Sequence, residues 1–89
     1  MTYTVELKHA RTRKRLWAEI TRVIPVPYYF GNNLDAFYDI LTDLGEDTEI
    51  VFRNTDICRK HLRVYTARLI DMCQDAENDN PHLKIRFEE

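Results

Sequence analysis

The sequence predicts an α/β fold in which three to four helices pack on a three-stranded parallel sheet. Two observations carry this expectation. TYTVEL at 2–7, TEIVFR at 48–53 and HLKIRF at 82–87 have the alternation or the apolar density of short strands. Each pair of successive strands is separated by well over a dozen residues of helical periodicity, the connection that parallel strands need and hairpins do not. At 89 residues the chain is expected to form one domain over 1–89, because two separate cores would each be too small for burial to offset chain entropy.

In the first segment Tyr3, Val5 and Leu7 fall on one side of a strand. From Thr12 the spacing changes: Leu16, Ile20, Val23 and Ile24 stand at i, i+4, i+7 and i+8, and Pro25 requires this helix to end by Ile24. Trp17, beside Leu16, is expected to pack at the edge of that helix. Pro25, Pro27, Gly31, Asn32 and Asn33 then crowd into nine residues of turn chemistry, with Tyr28, Tyr29 and Phe30 among them. A side-chain oxygen of Asn32 or Asn33 can cap a second helix, whose stripe is Leu34, Phe37, Leu41 and Leu44 and which Gly45 is expected to end. After the second strand, Thr55 or Asp56 can cap an amphipathic segment through Cys58, Leu62, Tyr65, Leu69, Met72 and Ala76. β-Branched Val64 and Thr66 permit a break in it, so residues 56–77 form one helix or two. An Asn-Asp-Asn-Pro turn leads into the last strand. The strand order is open, since right-handed crossovers put both sets of helices on one side of the sheet unless that order reverses.

With 44% hydrophobic and 31% charged residues, the composition is that of an ordinary globular domain. No apolar run approaches the roughly 20 residues that span a bilayer, and the N-terminal segment lacks the order of a secretory signal. A cytoplasmic protein without membrane association is expected. Cys58 and Cys73, if they share one continuous helix, lie about 22 Å apart, too far for a disulfide, which suits a reducing compartment. His9, His61, His82 and the two cysteines show no metal-ligand spacing, and no cofactor is expected. His61 reads as helix surface and the cysteines as core.

The net charge of −2 conceals an uneven distribution. Residues 1–22 hold six Lys or Arg against two acids, and residues 53–89 hold seven of each sign. Residues 23–52 hold no Lys or Arg and six acids: Asp35, Asp39, Asp43, Glu46, Asp47 and Glu49. Thirty consecutive residues without a cation create a local negative field. On a helical wheel Asp35, Asp39, Thr42 and Glu46 lie opposite the apolar stripe, with Asp43 beside them. Like charges at i, i+4 oppose helix formation by a few tenths of a kcal/mol per pair, roughly, and Asp43 and Glu46 face the wrong pole of the helix dipole. Such a face is either solvated surface or a docking surface. Tyr29 in the preceding loop and Tyr38 at the edge of the acids add rigid amphipathic contact area, which favours docking to a basic protein.

Asp35 and Asp39 do not read as a catalytic pair, because an exposed helix face offers no burial to raise one pKa, so no enzyme is expected. The run Arg11-Thr12-Arg13-Lys14-Arg15 reads as the solvated start of the first helix rather than a nucleic-acid arm.

The segment VPYYFGNNLDAFYDILT, residues 26–42, resembles the signature of the barstar family of ribonuclease inhibitors: proline, a tyrosine-rich loop, Gly-x-Asn-Leu-Asp-Ala, an aromatic residue, Asp and Leu. Element order and length are also similar. The resemblance implies a barstar-like sheet with packed helices. It further implies a 1:1 inhibitory contact with a cognate ribonuclease or toxin nuclease through Tyr29, Asp35, Tyr38, Asp39, Thr42 and Asp75. In the family the counterpart of Asp39 occupies the enzyme's phosphate-binding site, a role that suits a carboxylate able to take bidentate arginine contacts. Three departures bear on which enzyme is bound: Tyr38 stands where the family prototype has tryptophan, Leu44 where it has an aromatic, and Phe30 where a second tyrosine is familiar. The expectation is an immunity protein or antitoxin dedicated to one nuclease. The other reading left open by the sequence is an acidic interaction module with a basic partner that is not a nuclease.

Overall fold

A computed structural model describes residues 1–89 as β1 (Thr2–Glu6), α1 (Arg13–Val23), α2 (Leu34–Thr42), β2 (Thr48–Arg53), α3 (Thr55–His61), α4 (Arg63–Asp79) and β3 (Leu83–Phe87). The sheet is parallel throughout, in the order β1-β2-β3. Since the order does not reverse, crossovers of the usual hand leave every helix on one face. Burial agrees with this. In register, Tyr3, Ile50 and Ile85 form one row and Val5, Phe52 and Phe87 the next, all buried or partly buried. On the opposite face Thr2, Thr4, Arg53, Lys84 and Arg86 are exposed, and only Val51 of the central strand is covered. Most parallel sheets are covered on both faces, whereas here one face meets solvent, which is why β1 and β3 alternate so regularly.

Thr12 caps α1, its side chain accepting from the Arg15 N–H at 3.1 Å, and the helix stops before Pro25 as expected. Trp17 departs from expectation. It is not at an edge but 3% exposed, surrounded by Phe30, Phe37 and Tyr65 at ring distances of 5.8, 5.7 and 6.5 Å. Its indole Nε1–H donates to the Tyr65 hydroxyl at 3.0 Å, so burial leaves no orphan donor. One side chain thereby joins α1, the α1–α2 loop, α2 and α4.

Two helix ends differ from the sequence reading. α2 stops at Thr42 with Asp43 as its C-cap, and Gly45 does not adopt a left-handed conformation, so Leu44 and Glu46 lie beyond the helix. The amphipathic segment is two helices, broken at Leu62 (φ −130°, ψ 58°) rather than at Val64 or Thr66. Neither Thr55 nor Asp56 is the N-cap of α3. That position belongs to Asn54 in a left-handed conformation (φ 58°), which asparagine tolerates better than most residues. The separation calculated along one continuous helix therefore does not apply to Cys58 and Cys73, although both thiols are unpaired and buried.

Candidate functional site

The loop before α2 is a small pedestal. The Phe30 N–H donates to the Pro27 carbonyl at 3.0 Å, closing a turn whose two central residues are Tyr28 and Tyr29. Phe30 faces inward against Trp17. Tyr28 and Tyr29 face outward, 100% and 75% exposed, with ring centroids 5.4 Å apart in an edge-to-face arrangement.

Asn33, not Asn32, caps α2: its Oδ1 accepts from the Ala36 N–H at 2.8 Å, and its Nδ2 donates to the Gly31 carbonyl at 3.3 Å. Asn32 instead takes a left-handed turn (φ 50°). The absence of a side chain at Gly31 matters here, since a Cβ would stand 2.8 Å from Nδ2 of the capping asparagine. The far end of α2 is held by a residue that the charge pattern did not indicate. Asn80, 4% exposed at the end of α4, donates from Nδ2 to the Leu41 and Leu44 carbonyls at 2.9 and 3.0 Å, and its Oδ1 accepts from the His82 N–H at 3.0 Å. Carbonyls that a helix end leaves unpaired are thus satisfied from across the fold.

Between these two fixings, α2 presents its acids on either side of a ridge. Asp39, Thr42 and Asp43 line an open groove of about 700 Å³ with Tyr29, Phe30 and Ile40. Asp35, Tyr38 and Asp75 line a smaller one of about 340 Å³ between α2 and α4, together with Arg68, Asp71 and Met72. Seven of the eight residues singled out from the sequence therefore meet around one helix. Glu46, past the helix end, lines neither groove. The Thr42 hydroxyl donates to the Tyr38 carbonyl at 2.9 Å, so its proton is already committed and its oxygen is what it offers outward.

The charges of this face are unpartnered. Asp35, Asp39, Asp43, Glu46 and Asp75 are all exposed and none enters an ion pair. Several acids elsewhere are tied down: Glu19 to Arg15 and Arg22, Glu88 to Arg53 and Arg86, Glu89 to Arg59, and Asp47 to His82. Tyr38 is the exception within the face, because its hydroxyl donates to Asp79 of α4. This bond raises the phenol above the ordinary tyrosine range, with smaller contributions from burial and from the negative charges of Asp79, Asp75 and Asp39. The spacing of Asp71, Asp75 and Asp79 at four-residue intervals was a signal for a second acidic row, but nothing in it indicated that Tyr38 lies alongside.

No group of His, Cys, Asp or Glu side chains is arranged to hold a metal ion. Among curated proteins, none matches the chain. A family model described as Barstar (barnase inhibitor) matches residues 1–88, so nearly every residue described above lies inside it. The chain belongs to the barstar family, whose members are ribonuclease inhibitors.

Proposed function

We propose that the protein is an immunity protein or antitoxin that binds the active site of a cognate basic ribonuclease, one to one, and blocks it with α2 and the preceding tyrosine turn. The observation that carries this reading is the row of exposed carboxylates on α2 and α4 without a basic partner of their own. Left unpaired, Asp35, Asp39 and Asp43 repel one another along the helix; opposite a cationic phosphate-binding cleft, each gains a partner. Asp39, on the groove side of the ridge, takes the arginine contacts that a substrate phosphate would take, and two oxygens in a plane suit a guanidinium fork. Tyr29 stands over the same groove and covers the neighbouring subsite with an aromatic face. Asp35, Tyr38 and Asp75 extend the contact over the α2–α4 side. Asp43 and Glu46 add mainly to the field that steers encounter.

The test is to mix the protein with barnase, with the product of its neighbouring gene and with a panel of ribonucleases, measuring complex formation and RNA cleavage. Binding and silencing of at least one is expected. Against that enzyme, Asp39→Ala should weaken the complex by about 2–5 kcal/mol, since it strands a buried cation, whereas Glu88→Ala should change it little. Equal losses at the two positions would count against the reading. The same Asp39→Ala variant, relieved of repulsion at i−4 and i+4, should unfold at slightly higher denaturant than the wild type.

A further inference from the structure

Tyr28 is an aromatic side chain with no contact that folding requires. The turn from Pro27 to Phe30 is closed by a backbone hydrogen bond and fixed by Phe30 against Trp17, and neither anchor involves the Tyr28 ring. That ring is wholly exposed, and its one aromatic neighbour is Tyr29. Burying a tyrosine ring is favourable, so a rigid turn that holds one entirely in water keeps that gain unspent until a partner covers it. Full exposure leaves the electron-rich face of Tyr28 open, and its neighbours in the turn, Pro27 and Tyr29, line a groove with Asp39 and Asp43 in a stretch of chain with no Lys or Arg. A cationic planar group suits both features, because it can lie on a ring face while the carboxylates neutralise it. The molecule itself contains such a contact: the Arg13 guanidinium lies over the Tyr65 ring at 4.2 Å from its centroid.

We propose that Tyr28 is a further partner-binding residue, which with Tyr29 forms a two-ring rim that seats an arginine side chain of the partner protein above the Asp39 groove. This rests on the inhibitor reading for the identity of the partner, and deepens it by naming the chemistry that the turn selects: an arginine at the border of the enzyme's cleft.

Two measurements separate this proposal from the reading it rests on. In the first, wild type, Tyr28→Ala, Tyr28→Phe and Tyr29→Ala are titrated against barnase. Tyr28→Ala should dissociate about 3- to 30-fold faster, Tyr28→Phe should keep most of the affinity because the ring face remains, and the melting temperature of each free variant should match the wild type. If Tyr28→Ala binds as tightly as wild type in a complex that Tyr29→Ala weakens, the proposal is overturned while the inhibitor reading stands. In the second, hexa-arginine and hexalysine are titrated separately into the free protein while tyrosine ring resonances are followed by NMR, with Tyr28→Phe identifying the signal. Hexa-arginine should shift the Tyr28 ring more than hexalysine does. A Tyr28 resonance that moves with neither peptide, or equally with both, overturns the proposal even if barnase proves not to be a target; failure of wild type to bind any ribonuclease overturns the inhibitor reading alone.

Discussion

The Tyr38 hydroxyl reaches from α2 to Asp79 on α4, and this bond ties a ring on the acidic face to the neighbouring helix. Because the neutral hydroxyl donates to a carboxylate, losing the proton replaces a hydrogen bond by a repulsion between anions. Tyr38 should therefore titrate above the ordinary tyrosine range, and Asp79→Ala should bring it down, as read from phenolate absorbance with Tyr38→Phe as the reference. The folded value lies above the unfolded one, so the stabilisation is whole below the unfolded value near 10 and fades as pH rises through the folded value. A titration of Tyr38 unmoved by Asp79→Ala would contradict the contact. The wheel placed Tyr38 beside the acids correctly, because that needs only the helical period. Its partner was not legible, since the two residues are 41 positions apart and meet only through the way α4 crosses α2.

At the scale of elements, α2 is a nine-residue helix carrying repulsive charges, with an acid at the wrong pole, and its own propensity is a weak reason for it to persist. It is held at both ends by asparagines. Asn33 works locally and was legible as a cap preceding an apolar stripe. Asn80 works across the fold and looked like turn chemistry before Pro81. Asn80→Ala should destabilise the protein by about 2–4 kcal/mol in chemical denaturation, because it strands the buried Leu41 carbonyl and the partly buried Leu44 carbonyl as well as removing hydrogen bonds. Asn80→Asp should be no better, as it sets a carboxylate against those carbonyls. A midpoint unchanged in either variant would show that the helix end does not depend on this residue. The elbow between α3 and α4 teaches a similar lesson. β-Branching pointed to Val64 or Thr66, but Thr66 sits buried within α4, its Oγ1 3.1 Å from the Cys58 Sγ across the elbow. Packing of the two helices on each other, and not propensity, sets the break at Leu62.

For the molecule as a whole, the separation of charge along the chain predicts kinetics. A six-acid central stretch should draw a basic partner to the α2 face from a distance, and salt should cancel much of that attraction, since the screening length is about 10 Å at 0.1 M. Association measured by stopped flow should slow markedly as salt rises while dissociation changes less; a rate of association independent of salt would contradict steering. The architecture was legible because it depends on spacing: three short strands, helical connections between them, and alternation in β1 and β3 that records the open face of the sheet. The placement of Trp17 at the centre was not, because one tryptophan beside a leucine says nothing of the loop, helix and tyrosine that converge on it.

That convergence bears on how the protein can change over generations. Phe30 and Pro27 secure the turn from below, while Tyr28 and Tyr29 at its crown support nothing else in the fold. If the crown meets the partner as proposed, substitutions there can alter which enzyme is recognised at little cost in stability, whereas substitutions at its base must first be survived by the core.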